Sequence, residues 1–340
     1  MSECRFFHVD AGTGLQRLAG PDEALRARQR GGYVWMDLRD PTRQELDAVV
    51  GPLGIHPLAV EDCLDQEQIP KFEDYPGHSF ILFNRFRYRD KELIVEEVDF
   101  MLGKDFLVTV AGHGGSDGGA FEKVEALAGV ESAAVEKGPD FLLHVILDYT
   151  VDSKVAAIEA IEDDIEAAEE ELLRDGTEFR LEELVHLRRA LLLLRKSLFH
   201  EREILVKICR RDSPYITEPA IYHFRDIYDH LTKFFEFSEM NRDILTSLME
   251  MHLSLTNNRM NRVANRTNSS VRRLTLITTV FMPLTLLAGI GGMSEWSMMT
   301  GPQNWRLAYP LFLLGMVAIG GANYYLLRWV ERRDREGLGP

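Results

Sequence analysis

The stretch "LTLITTVFMPLTLLAGIGGMSEW", residues 274–296, decides how the rest of the chain is read. From Leu274 it runs 21 residues without a charge and then meets Glu295. A helix rises about 1.5 Å per residue, so the run is long enough to cross the roughly 30 Å of a bilayer's hydrocarbon layer. A second uncharged run of 21 residues, "LAYPLFLLGMVAIGGANYYLL", lies between Arg306 and Arg328. Two such runs separated by about a dozen residues predict a membrane hairpin rather than two buried helices of a soluble fold.

The charges around the hairpin set its orientation. Arg259, Arg262, Arg266, Arg272 and Arg273 precede the first run, and Arg328, Arg332 and Arg333 follow the second. The link between them carries only Glu295, with Arg306 at its far edge. Because cytoplasmic flanks hold the excess of Lys and Arg, both termini are expected in the cytoplasm of a two-pass protein of an inner or plasma membrane. Trp296, Trp305, Tyr309 and Trp329 fall at the water boundaries, where an aromatic body and a polar tip are both accommodated.

The first run has polar positions that the second mostly lacks: Thr275, Thr278, Thr279 and Thr285, with Pro283 among them. Helical spacing groups Thr275, Thr278 or Thr279, Met282, Thr285 or Leu286, and Gly289 on one side. That side either lines a pore or turns its hydroxyls back onto carbonyls of its own helix, and periodicity leaves both readings open. Two helices cannot enclose a channel, so a pore requires several copies of the chain. In the second run Gly315, Gly320 and Gly321 permit close helix packing.

Upstream, no proline stands between Pro219 and Pro283, and apolar residues recur at helical spacing from Ile221 to Met260. The pattern predicts one helix from near Glu218 into the first apolar run, on the order of 100 Å long and in need of helical partners. Asparagines at 257, 258, 261, 265 and 268 interrupt the pattern. They either face solvent or offer uncharged oxygens to a hydrated cation around a shared axis. Helices over 139–173 and 180–211, joined through "DGTEF", have the size to pack on this stalk. Before residue 112, "YVWMDL", "SFILFNRFRY", "IVEEVDFML" and "DFLVTV" read as strands, with helices around 42–50, 57–67 and 121–128. The glycine-dense "AGHGGSDGGA" reads as a loop. The expected fold class is an α+β cytoplasmic domain (1–135), a helical bundle and stalk (136–272) and a transmembrane hairpin (273–328). Its external loop covers 294–306, and a basic cytoplasmic tail covers 329–340.

Composition excludes several classes of function. A formal net charge of −15 over 340 residues disfavours a nucleic-acid partner and is compatible with attracting cations. Cys4, Cys63 and Cys209 are far apart and form no CxxC, so neither a disulfide framework nor a zinc knot is expected. "MSECRFFHVD" has no charged leader followed by an apolar run, so no signal peptide is expected. The glycines fit neither GxxxxGK(S/T) nor a strand-to-helix GxGxxG, and no HExxH or compact His/Cys set is present. Acidic pairs are too abundant to single out a catalytic dyad. Neither enzymatic activity nor a bound cofactor is expected.

Three stretches resemble the CorA-like superfamily of divalent metal ion transporters: "HPLAVEDCLDQEQIPKFEDYPGHSFILF" (56–83), "LTNNRMNRVANRTNSSVRRLTLITTVFMPLTLLAGI" (255–290) and "GGMSEW" (291–296) before a second span. The resemblance implies a funnel-shaped homopentamer in which five first spans line a central pore. On that basis the face from Asn268 through Leu274, Thr278, Met282 and Thr285 is the expected lining, with Leu274 and Met282 as apolar constrictions. The family's outer loop begins Gly-Met-Asn, whereas Gly292, Met293 and Ser294 stand here. A serine hydroxyl keeps an oxygen but lacks the amide's reach and separate donor, so its hold on a hydrated ion is weaker and less selective. The family's Met-Pro-Glu element is absent, which leaves Glu295 to attract cations at the pore mouth. The implied cargo is hydrated Mg2+ or another divalent cation, moving down its electrochemical gradient. Asp62 falls at an acidic position implicated in divalent sensing, a regulatory metal ligand by resemblance. Its partners would come from Asp226, Asp229, Glu236 or Glu239, unless these form a merely solvated acidic face. Proton-coupled transport of zinc or another transition metal, and a noncatalytic membrane scaffold, are the alternatives.

Overall fold

"YVWMDLR", buried at all its positions, forms the strand around which the N-terminal part is built. The computed structural model describes residues 3–65, 68–112, 125–126, 135–175, 179–292, 301 and 304–336. They belong to two compact units, Met1–His252 and Leu253–Pro340.

In chain order the first unit contains β1 (Glu3–Asp10), β2 (Gly14–Leu18), α1 (Pro21–Arg28), β3 (Tyr33–Arg39), α2 (Arg43–Val50) and α3 (Pro57–Asp62). Then follow β4 (Phe72–Tyr75), β5 (His78–Arg89), β6 (Glu92–Gly103), β7 (Phe106–Ala111), α4 (Pro139–Asp175) and α5 (Leu181–Cys209). The strands form one sheet in the order β2-β1-β3-β7-β6-β5-β4. Only β3 and β7 pair in parallel, and all other neighbours are antiparallel. A central strand in a sheet covered on both faces is buried at successive positions, which is why the burial of "YVWMDLR" shows no alternation even at Asp37 and Arg39.

Local chemistry sets the connections. β5 and β6 are joined by Asp90 and Lys91, both at positive φ (53° and 64°), as a two-residue hairpin turn of the type matching strand twist requires. Gly32 has φ +70°, and a Cβ there would stand 2.2 Å from the Val9 carbonyl oxygen, so only glycine fits. Helix α2 opens on a reciprocal cap: the Glu45 N–H donates to Thr42 Oγ1, and Glu45 Oε2 accepts from the Thr42 N–H at 2.8 Å.

The core on one face joins Val34, Met36 and Leu38 of β3 to Ala24 of α1, Leu46 of α2 and Ala59 of α3. Trp35, on the opposite side of β3, stacks on Phe7 at 4.8 Å between centroids and donates to Thr109 Oγ1 at 3.2 Å. Thr109 in turn donates to Asp37 Oδ1 at 2.8 Å, beside Arg39 at 3.5 Å. Burial pushes the Asp37 carboxyl up to about 6 despite that bond and the nearby arginines.

Helices α4 and α5 pack on the sheet and meet it through charge. Lys154 and Glu201, both with no exposed side-chain area, pair at 2.7 Å. The ammonium also donates to the Asn84 carbonyl, while Glu201 Oε1 accepts from the Asn84 N–H at 2.9 Å. Burial holds the Lys154 pKa below its ordinary value against the pull of Glu201.

Helix α6 (Glu218–Gly291) is a single element of 74 residues, as the proline-free stretch predicts. Asp140 of α4 fixes its start, accepting from the Thr217 N–H at 2.9 Å and from Thr217 Oγ1 at 2.6 Å. Ala220, Phe224, Ile227, Leu231, Leu245 and Leu248 are buried, and no residue of α6 beyond Leu248 is. The second unit holds the remainder of α6 and α7 (Trp305–Glu336).

The four strands and the long helices expected from the sequence are present, with small shifts at their ends. The sequence reading omitted β1, β2, α1 and β4. The helix expected over 57–67 ends at Asp62, because the Gln68 side-chain amide takes the Asp62 carbonyl at 2.8 Å and turns the chain away. Most of the 121–128 helix, the glycine-rich loop after Gly112 and the turn at 176–178 lie outside the described residues.

Candidate functional site

The polar face of α6 is built by four threonines, each donating its hydroxyl to a carbonyl four residues back. Thr275 bonds Val271 at 2.9 Å, Thr278 bonds Leu274 at 2.9 Å, Thr279 bonds Thr275 at 2.8 Å, and Thr285 bonds Phe281 at 2.8 Å. This satisfies the hydroxyl protons without water, as a helix in hydrocarbon requires. It also leaves each threonine oxygen presenting only acceptor lone pairs to whatever faces it. The two sequence readings of these threonines are therefore compatible. Such acceptors match the outward-pointing protons of a hydrated cation's water shell.

Along the same side, Leu274 is 64% and Met282 is 70% exposed, and Asn268 is also exposed. Met282, Thr285, Leu286, Gly289 and Ile290 line an open groove. Gly292 closes the helix, its N–H donating to the Ala288 carbonyl at 3.0 Å. Met293, Ser294 and Glu295 lie outside the described residues.

Within the second unit, α6 and α7 touch through glycines. A Cβ on Gly320 would stand 3.3 Å from Leu284 Cδ1, and one on Gly291 would stand 2.7 Å from the Phe312 ring. Gly315 and Gly321 meet nothing within 4 Å among the described residues. Both helices are long and apolar enough to cross a membrane, and no residue of either apolar window is buried.

In the first unit Asp62 is engaged by Lys71, whose Nζ lies 2.7 Å from Asp62 Oδ1. Behind it Cys63 and Asp99 are buried together, and burial raises both pKa values well above their ordinary positions. Of the stalk carboxylates considered with Asp62, Glu239 is bound by Arg195 and by Arg242 at 3.0 Å.

A metal-compatible cluster sits elsewhere, at residues sequence reasoning did not select. Asp148 and Asp152, one turn apart on α4, face His230 on α6, with ligand atoms all within 4.8 Å of one another. One ion with ligand distances of about 2.0–2.6 Å spans such a set. His230 Nδ1 is buried without a hydrogen-bond partner among the described residues, which suits a ligand nitrogen. One turn up the seam His144 and His223 pack at 4.9 Å between ring centroids, and burial, then His223, lowers the His144 pKa to about 4. The available signal was the i, i+4 carboxylate pair in "LDYTVD", but nothing local ties it to His230.

Comparison with known proteins bears on the whole of this arrangement. The family model described as CorA-like Mg2+ transporter protein matches residues 30–332. The chain is 32% identical over 306 residues to the cobalt/magnesium transport protein CorA of Thermotoga maritima, covering 88% of this chain and 83% of that one. It is 30% identical over 305 residues to the putative metal ion transporter YfjQ of Bacillus subtilis, covering 89% and 88%. Among solved structures, the complete CorA magnesium transporter of Methanocaldococcus jannaschii superposes with a TM-score of 0.68 at 24% identity, over 96% of this chain and 97% of that one, a likeness of fold. The cytoplasmic domain of ZntB from Vibrio parahaemolyticus shares the fold more distantly, with a TM-score of 0.55 at 12% identity over 76% and 98%. With its long helix, its two exposed apolar segments and a family match that spans nearly all of it, the chain belongs to the CorA-like Mg2+ transporter family.

Proposed function

We propose that this chain transports divalent metal cations across a lipid bilayer, carrying hydrated Mg2+ or a broader set of divalent ions down the electrochemical gradient. The observation that carries the reading is the row of acceptor oxygens at Thr278 and Thr285 on an apolar helix whose membrane-length window has no buried residue among the described residues. One copy cannot enclose that row, so the transporting form is a funnel-shaped homopentamer whose five α6 segments surround the path. Both termini lie in the cytoplasm, and the segment 294–306 lies outside.

In this reading Glu295 gathers cations, and Ser294 with the backbone of Gly292 and Met293 meets their water shells. Thr285, Thr278 and Asn268 supply further oxygens along the path, and Met282 and Leu274 form narrow apolar rings that close by dewetting. Magnesium sheds water reluctantly, so recognition through its outer hydrogens comes before any direct ligation. No covalent chemistry is required of the protein.

The cytoplasmic unit holds a regulatory Mg2+ or another divalent cation at Asp148, Asp152 and His230. Asp62 becomes a metal ligand only by releasing Lys71. The imidazole favours borderline metals such as zinc, cobalt or nickel, and this supports a second reading, proton-coupled transition-metal transport.

The test is uptake of magnesium, zinc, cobalt and nickel into liposomes holding the full-length protein, with membrane potential and pH gradient set independently. Potential-driven magnesium uptake indifferent to the proton gradient is the expected result. Proton-dependent uptake of a transition metal selects the second reading, and no flux from intact oligomers leaves a noncatalytic scaffold. Restoring the family's amide with Ser294→Asn should sharpen discrimination for magnesium, and unchanged selectivity would remove Ser294 from the ion's path.

A further inference from the structure

Helices α5 and α6 meet along a seam in the first unit, and one stretch of it is not filled. A cavity of about 90 Å³ lies there, floored by Leu191 and Leu245, which are 3% and 1% exposed. Arg188 and Arg195 border it from α5, two turns apart on one face, and Arg242 borders it from α6. The hydroxyls at its edge do not fill it: Ser238 turns to the Phe235 carbonyl at 2.7 Å, and Thr246 to the Arg242 carbonyl at 2.9 Å.

The charges around the cavity are unbalanced. Glu239 forms ion pairs with both Arg195 and Arg242, and Asp243 takes Arg242 at 2.8 Å. Arg188 is exposed and has no ion pair among the described residues. Three guanidiniums against two carboxylates leave one positive charge at the mouth of an apolar pocket.

We propose that this cavity binds a small oxyanion, the head of a phosphate or a short carboxylate, clasped between α5 and α6. The guanidinium presents paired N–H groups in a planar fork that fits two oxygens of such a head. An apolar floor strengthens those bonds by keeping water away. The volume sets the ligand's size: sites for drug-sized molecules run to about 300–1,000 Å³, so a whole nucleotide or lipid does not fit. The proposal does not rest on the transport reading, because binding is measured without ion flux.

The experiment is calorimetric titration and thermal unfolding of the full-length oligomer in nanodiscs with inorganic phosphate or butyrate, at constant ionic strength set by chloride. Two variants accompany the parent: Arg188→Ala, a surface change, and Ser238→Leu, which fills the cavity. Saturable binding that raises the melting temperature is expected, weakened about tenfold in Arg188→Ala, as loss of one charge-assisted contact predicts, and abolished in Ser238→Leu. Binding of phosphate alone identifies a phosphate site, and binding of butyrate identifies a carboxylate site. No saturable binding of either probe overturns the proposal, as does binding that Arg188→Ala leaves unchanged.

Discussion

In the first unit Phe80, Ile81, Leu82 and Phe83 have no exposed area, whereas in the second Leu307, Leu311, Leu314 and Val317 are 72–75% exposed. The polar groups divide in the opposite sense. Lys154, Glu201 and Asn84 bond one another across two helices and a strand, while the threonine hydroxyls of residues 274–289 bond carbonyls of their own helix. A fold in water hides its apolar atoms and allows a buried charge only beside a partner. A helix in hydrocarbon turns apolar atoms outward and satisfies its polar groups internally. One chain is thus written for two solvents, and each half can be tested by a change that the other half would tolerate.

The largest effect is expected where charge is deepest. Lys154→Met leaves Glu201 ionised without its counter-charge in the first unit's interior, and breaking such a pair costs about 3–5 kcal/mol. Replacing both residues, as Lys154→Met with Glu201→Leu, removes the stranded charge and should recover most of that loss. Recovery stays incomplete because the Asn84 N–H then lacks its acceptor, a deficit of about 1–3 kcal/mol. Urea unfolding of the full-length protein in detergent, followed by a probe in the first unit, measures both. A double variant no more stable than the single would show that the pair is not an isolated charge problem.

This pair also marks where the sequence stopped being legible. Lys154 stands in an acid-rich helix and looks like surface charge, and only the packing of α4 and α5 on β5 identifies it as core. Asp148 and Asp152 were lost among many carboxylates for the same reason, since a helix fold far along the chain brings His230 to them. The hairpin β1–β2 was hidden because Arg5, His8, Gln16 and Arg17 break the apolar runs of its strands, and β4, "FEDY", is too short and acidic to stand out. By contrast, length without charge was enough for both apolar segments, and the absence of proline was enough for α6. The fold's long-range order was legible where one physical rule governs many consecutive residues. The sites built by two or three distant side chains were not. Most of the candidate ion path came through family resemblance, and the threonine bonds add what resemblance could not: the direction in which each hydroxyl proton points.

A smaller effect, confined to the first unit, concerns Asp37. Its folded pKa, raised to about 6 chiefly by burial, lies above the ordinary value of 3.8, so the folded state holds a proton that the unfolded state has released between those pH values. Stability therefore falls as pH rises from about 4 to 6, by about 3 kcal/mol at most, and is flat above. Asp37→Asn, which keeps an acceptor for Thr109, should flatten that part of the profile in thermal unfolding at stepped pH. An unchanged slope would assign the dependence to other groups.

The smallest effect on stability should accompany the sharpest effect on function. Thr278→Val and Thr285→Val keep the side chain's shape and remove a hydroxyl that bonds only its own helix, so each should change stability by less than about 1 kcal/mol. If these oxygens face the ion's water shell, each change deletes an acceptor from every copy around the path, and uptake should fall several-fold while the oligomer stays intact. Thr278→Ser and Thr285→Ser, which keep the hydroxyl, should retain most of the uptake. Thr275→Val and Thr279→Val serve as internal comparisons, since they remove the same kind of bond one position off the 274–278–282–285 line. Equal losses from all four valine changes would mean that the hydroxyls matter to the helix and not to the ion. A loss confined to Thr278 and Thr285 would separate a pore-facing row from one that merely satisfies a helix in hydrocarbon.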